Sequence, residues 1–173
     1  MTKQFRTTLK LVLAAAAVAA APASIGANTS ASSTGTVVTP IAITKAADLV
    51  FGKFAASTGG TVTVSTSGAR TVSGAVIGMS GSPAAAQFDV TGEADATYSI
   101  NLTAPATLDS GSDTMAFAVV SDLTGANTTA GNVTSGTLTG GAQSIYVGGI
   151  LTVASAQPAG TYSGSVVATV EYN

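Results

Sequence analysis

The chain has 173 residues, is 46% hydrophobic and only 8% charged, and contains no histidine, cysteine or tryptophan. Without His or Cys it lacks the commonest general base, the thiolate nucleophile and the usual zinc and copper ligands, which disfavours an enzyme and implies no cofactor. Six basic residues against eight acidic ones leave no cationic stripe, so nucleic acid and anionic lipid are both unexpected partners.

The first ten residues carry Lys3, Arg6 and Lys10 and no acid, and an apolar run from Leu11 to Ala21 follows. That pattern predicts a secretory signal peptide over residues 1–27. The run is about half the ~20 residues that span a bilayer, so no membrane span is expected in the mature chain. Small residues offer cleavage after Ala27 or after Ala23, and Ala27 is preferred because Pro22 then lies upstream of the scissile bond. Removing the leader leaves Lys45, Lys53 and Arg70 against eight acids, so the formal charge is three minus eight, or −5. An exported chain without cysteine must rely on packing and strand pairing alone.

Residues 28–36, Asn-Thr-Ser-Ala-Ser-Ser-Thr-Gly-Thr, are small and polar and read as a flexible amino-terminal segment. A single domain is expected over residues 37–173. Val37, Thr39, Ile41 and Ile43 share one parity and predict a strand, at an edge or bent at Pro40 because proline cannot donate to a ladder. Asp48 to Phe54, Thr61 to Val64 and Arg70 to Ile77 follow as further strands, separated by Gly59-Gly60 and Ser67-Gly68. Arg70 could hold a carboxylate on the sheet face, but is expected instead to lie exposed on its strand with its stem over apolar neighbours.

Gln87 to Val90 and Tyr98 to Leu102 both alternate, and the turn-like Gly92-Glu93-Ala94-Asp95 between them predicts a hairpin. Met115, Phe117, Val119 and Ser121 share a parity after the turn Asp109–Asp113, and residues 122–133 read as a long exposed loop. In Ser144 to Val153 the parity is expected to change at Gly148-Gly149, through a bulge or bend.

The last stretch is the most strongly patterned. Tyr162, Val166, Ala168, Val170 and Tyr172 share one parity, while Ser163, Ser165, Thr169 and Glu171 occupy the other. Such a strand must lie beside a partner already formed or beside one supplied by another molecule. Some eight or nine short strands with turn residues between them, and no helical period after the leader, predict an all-β, antiparallel, Ig-like β-sandwich.

The penultimate Tyr172, and Gly160 as the fourteenth residue from the end, resemble the carboxyl-terminal pattern of pilus subunits assembled by a periplasmic chaperone and an outer-membrane usher. In that family the final strand flanks a groove that a chaperone, and then a neighbouring subunit, fills by strand addition. The resemblance implies a partner-strand groove at Gly160, Tyr162, Val166, Ala168, Val170, Tyr172 and Asn173, and a donor strand carrying Val37, Thr39, Ile41 and Ile43. A periplasmic chaperone and like subunits would be the partners. Many such pilins carry a disulfide, which this chain cannot form.

A second resemblance covers nearly all of the mature chain. Ile43–Gly52, Gly60–Val64 with Gly68-Ala69-Arg70, Phe88–Gly92 with Tyr98–Ile100, Tyr146-Val147-Gly148 with Leu151–Val153, and Gly160–Gly164 resemble an exported bacterial family described as domain of unknown function 4402. It implies an Ig-like sandwich in the style of fimbrial subunits and brings no catalytic residue.

Other constellations point to structure more than to chemistry. Asp109-Ser110-Gly111-Ser112-Asp113 has oxygen ligands for calcium but lacks the further acids of a calcium loop, and Asp, Ser and Gly are ordinary turn residues. The sequence makes neither a Gly-x-Ser-x-Gly elbow nor a Ser-x-x-Lys pair, and the four tyrosines all fall in predicted strands, leaving no aromatic platform for sugar. Tyr162 fits a corner tyrosine bonded to nearby backbone. The expectation is a non-enzymatic structural or surface subunit that assembles by strand addition. The alternative is a self-complete sandwich that binds a surface partner or small ligand.

Overall fold

The computed structural model describes residues 25–173. The expected leader lies outside these residues, apart from Ile25, Gly26 and Ala27 at its end. Residues 25–36 have no regular structure and exposed side chains, as their small polar composition dictates. Residues 37–173 form a separate unit.

Twelve strands make up this unit: β1 (Ala42–Ala47), β2 (Phe54–Ala55), β3 (Gly60–Val64), β4 (Arg70–Gly74), β5 (Ile77–Gly78), β6 (Ala86–Thr91), β7 (Thr97–Thr103), β8 (Thr107–Ser110), β9 (Asp113–Asp122), β10 (Ser135–Thr137), β11 (Ala142–Val153) and β12 (Val167–Tyr172). All named pairings are antiparallel, in the β-sandwich that the strand spacing predicts. Among the described residues no helix is long and apolar enough to cross a membrane.

The large sheet is organised on β11. On one edge its first half pairs with β6 (Ala142 to Val147) and its second half with β3 (Gly149 to Val153), while β9 lies along the other edge from Tyr146 to Thr152. Outer strands then follow: β1 beside β6, β4 beside β3, and β8 beside β9. Strands β10, β7 and β12 form a second, three-stranded sheet in that order, and β2 pairs with β5.

No bulge interrupts β11. Its register with β9 runs unbroken through Gly148 and Gly149, and Ile145, Val147, Gly149, Leu151 and Val153 form one buried parity. The glycines serve close approach instead of a bend. A Cβ on Gly148 would strike the Val64 carbonyl, and one on Gly149 would enter the space of the Phe117 and Phe51 rings. Those two rings meet edge to face, with centroids 6.1 Å apart. The register shift the structure does contain lies in β1, between Lys45 and Ala47.

The expected hairpin at residues 87–102 is also corrected. Strand β6 pairs with β1 and β11, whereas β7 pairs with β10 and β12, so residues 92–96 cross from one sheet to the other. Asp95 takes a positive φ of 61° in that crossing, and its amide donates to the Leu138 carbonyl at 2.7 Å. Turn composition permits both outcomes; the packing of Tyr98 and Ile100 against Val90, Ile145 and Val147 selects the crossing.

Two apolar clusters fill the interior. Val62, Val76, Leu108, Met115, Phe117, Leu151 and Val153 gather around the second half of β11, and Val90, Tyr98, Ile100, Leu138, Ile145 and Val147 gather around its first half with Ala86. Leu49, Val119 and Val166 pack against both.

Candidate functional site: the free edge of the last strand

The final strand is shorter than its pattern suggests. It begins at Val167, and the residues before it are irregular, held by a bridge in which Ser163 and Asp109 exchange backbone hydrogen bonds of 2.9 and 3.0 Å. Tyr162 is a corner tyrosine in the expected sense: its hydroxyl donates to the Pro158 carbonyl at 2.9 Å and accepts from the Gln157 amide at 2.8 Å.

Among the described residues, strand β12 has a neighbour on one side only. It pairs with β7 from Val167↔Thr103 to Tyr172↔Tyr98, and it ends the order of its sheet. The Asn173 amide donates to Thr97, so by alternation Thr169 and Glu171 turn their backbone groups towards β7. Ala168, Val170 and Tyr172 turn theirs outwards. No backbone hydrogen bond among the described residues fills those outward positions. The side chains of the same three residues are half-buried, whereas Val167, Thr169 and Glu171 are exposed.

Across from this edge lies β1, which among the described residues pairs with β6 alone. The Gly92 amide donates to Gly141 on the β11 side of β6, so Ala42 and Thr44 bond to β6 and Ile43 turns its backbone outwards. Ile41, Ile43, Val166, Val170 and Tyr172 all pack against the same buried cluster from the rim. The two edges thus flank one apolar rim, the seam, and no backbone hydrogen bond among the described residues joins them.

Tyr172 closes one end of the seam. Its hydroxyl donates to the Thr39 carbonyl at 2.7 Å and accepts from the Glu93 amide at 2.6 Å. The Glu93 carboxylate accepts in turn from the Thr39 amide at 2.9 Å, and these Thr39 bonds hold its carboxyl below the ordinary carboxylate range. Gly92 lies so close beneath the Tyr172 hydroxyl that a Cβ there would collide with it.

The residues singled out in the sequence are thus divided. Ala168, Val170 and Tyr172 form the free edge, Val166 packs at its base, and Asn173 continues the pairing with β7. Gly160 and Tyr162 lie elsewhere, Gly160 against Ser110 of β8 and Tyr162 against the other core cluster. Of the residues read as a donor strand, Val37 is 98% exposed and Thr39 is bound by Tyr172 and Glu93. Ile43 is paired with Val90 inside β1 and Ile41 packs on its own core. The regular strand therefore starts after Pro40, which the missing proline N–H explains.

Two polar groups outside the edge act in ways the sequence reading did not foresee. Arg70 neither meets a carboxylate nor lies free: its guanidinium donates to the carbonyls of Phe51, Lys53 and Met79, clamping the segments around β2 and β5. Asp122 accepts from the amides of Thr124 and Gly125 and the hydroxyls of Thr124 and Thr128. Burial pushes its carboxyl up, but those donors together outweigh burial and hold it below the ordinary value. The Asp-x-Thr-Gly run at residues 122–125 was the available signal, since Asp commonly bonds the backbone two residues on. Among the described residues no cluster of three or more acids could hold a metal ion.

The model of one family, described as domain of unknown function (DUF4402), matches residues 41–172. The chain belongs to that family. The matched span begins at Ile41, just before β1, and runs through Tyr172, so the DUF4402 domain includes both edges of the seam. No curated protein and no solved structure matches this member.

Proposed function

We propose that this DUF4402 protein is an exported, non-enzymatic structural or surface subunit that accepts an extended strand from another molecule along β12. The observation that carries the reading is the row of outward backbone groups at Ala168, Val170 and Tyr172, above half-buried side chains and opposite a second free edge. Strand addition takes its affinity from such main-chain groups and its specificity from the alternate side chains. The basic and apolar leader supports export to the cell surface or beyond, and the carboxyl-terminal likeness to chaperone-assembled pilins supports assembly in their manner.

The Val170 amide points away from β7, so a proline there removes a donor from the free edge and none from the existing ladder. A short synthetic peptide of alternating Val and Thr, flanked by lysines, is expected to slow amide exchange at Ala168, Val170 and Tyr172. Val170→Pro and, independently, Ala168→Pro are expected to abolish protection at the two amides each variant retains, while keeping the β-sheet circular dichroism. Unchanged exchange at all three amides under excess peptide defeats the proposal.

A further inference from the structure

We infer that the irregular segment between β9 and β10 accepts asparagine-linked sugar, at Asn127 and Asn132. The inference rests on the export half of the reading above and not on strand acceptance. The chain has five asparagines, and the four that precede the terminal Asn173, namely Asn28, Asn101, Asn127 and Asn132, each have serine or threonine two residues on and no proline between. Serine and threonine fill 46 of the 173 positions, so composition alone accounts for about one such triplet among four asparagines. In exported chains this triplet is the acceptor of N-linked glycosylation, and it lies on surface loops.

The segment presents its two triplets in the same way. The hydroxyl of buried Thr66 donates to the Ala126 carbonyl and accepts from the Thr128 amide at 3.2 Å, and the Thr66 amide donates to the Thr128 carbonyl at 3.1 Å. Fastened at 126 and 128, the chain leaves Asn127 and Thr129 exposed. Buried Ser121 treats the second triplet alike: its amide donates to the Gly131 carbonyl at 3.0 Å and its hydroxyl accepts from the Val133 amide at 2.9 Å, leaving Asn132 and Thr134 exposed. The carboxamide oxygen of Asn127 accepts from the Ser67 hydroxyl at 3.3 Å and that of Asn132 from the Ser121 hydroxyl at 3.4 Å. Each Nδ2, the atom that takes the sugar, has no hydrogen-bond partner among the described residues.

Asn101 is exposed too, but it lies within β7, the middle strand of its sheet, with Thr169 of β12 opposite it. A transferase that must enclose the triplet can grip a loop, whereas a strand with neighbours on both sides offers it one face only. Asn28 would open the mature chain after cleavage at Ala27. The co-reactant is a sugar carried as a diphosphate ester, and a cellular glycosyltransferase supplies the catalysis. The bond between Nδ2 and the anomeric carbon forms, the bond from that carbon to the diphosphate oxygen breaks, the amide gives up one proton, and the diphosphate leaves with the electron pair.

The test is the intact mass and the peptide map of the full chain isolated from the cells that make it. The expected result is a chain without its leader whose mass exceeds that of its sequence by whole glycosyl residues, mapped to Asn127 and Asn132 with none at Asn101. Asn127→Gln and Asn132→Gln are each expected to lose one site's excess. Thr129→Ala and Thr134→Ala are expected to lose the same although the asparagine remains, and Thr129→Ser to keep it, a pattern that deamidation would not follow. A leaderless chain of unmodified mass, or an excess that survives both asparagine substitutions together, overturns the inference while leaving export intact. Sugar at Asn101 in place of the loop also overturns it, and sugar at one loop asparagine alone overturns the assignment of the other. A chain that retains residues 1–27 overturns export, and this inference with it.

Discussion

Strands β11 and β12 both turn one parity of side chains inwards and have opposite fates. In β11 both edges are paired, by β6 and β3 on one side and β9 on the other, and Ile145, Val147, Leu151 and Val153 are almost wholly buried. In β12 one edge is paired, and the inward side chains of Ala168, Val170 and Tyr172 are only half-buried. An alternating pattern reports which face turns inwards; the number of neighbouring strands decides how completely that face is closed. The strand at the centre of the large sheet is thus not the one with the clearest pattern, and the clearest pattern belongs to a strand at a sheet edge.

The largest contrast comes from truncating an inward aliphatic in each strand. Leu151→Ala in β11 is expected to cost about 2–5 kcal/mol of unfolding free energy, because a fully enclosed site cannot collapse around the lost atoms. Val170→Ala in β12 is expected to cost about 1 kcal/mol or less, since water already reaches its surroundings. Urea denaturation of both variants measures the difference. Equal losses would mean that the last strand is as enclosed as the hub.

A smaller effect is expected at the end of the seam. Tyr172→Phe removes the hydroxyl that bonds the Thr39 carbonyl and the Glu93 amide, and is expected to lose about 1–2 kcal/mol. The decisive reading is local: amide exchange at Thr39 should accelerate, with no change at Ile145 or Val147. Acceleration throughout the domain would assign the tyrosine a global role instead.

The smallest effect is one of pH. Glu93 is held below its ordinary value by the Thr39 amide, and Asp89 by the Gln87 amide and Ser144 hydroxyl, so the unfolded chain takes up protons before the folded one does. The stability these groups contribute is present above their ordinary values of 4.5 and 3.8 and is lost as the pH falls below them. Melting temperature should therefore drop on acidification through that range, and Glu93→Gln should flatten part of the drop. A profile unaltered by that substitution would detach Glu93 from the seam's stability.

Much of the fold was legible because it rests on local chemistry. Alternation at Thr61–Val64, Gln87–Val90, Tyr98–Leu102 and Met115–Ser121 locates β3, β6, β7 and β9, and Gly59-Gly60 and Gly111 fall at turns that require positive φ. The short strands β2, β5, β8 and β10 were not legible, since two to four residues carry too little pattern. The Arg70 clamp was equally hidden, because its three acceptors are backbone carbonyls, which every residue supplies. At the candidate site, the inward residues of the last strand could be named in advance. That Tyr172 binds Thr39, 133 residues away, could not.

By itself the sequence determined an all-β domain of short antiparallel strands, a polar segment ahead of it, and one face of each strand marked for burial. Periodicity, turn residues and composition act over a few residues, so they are fixed before any long-range contact forms. Only the tertiary structure decided that residues 92–96 cross between sheets, that Gly148 and Gly149 admit neighbouring backbone and aromatic rings, and that β12 stands at an edge facing β1. Which strands become neighbours depends on how two apolar faces close on each other across the whole domain, and no short stretch of sequence encodes that choice.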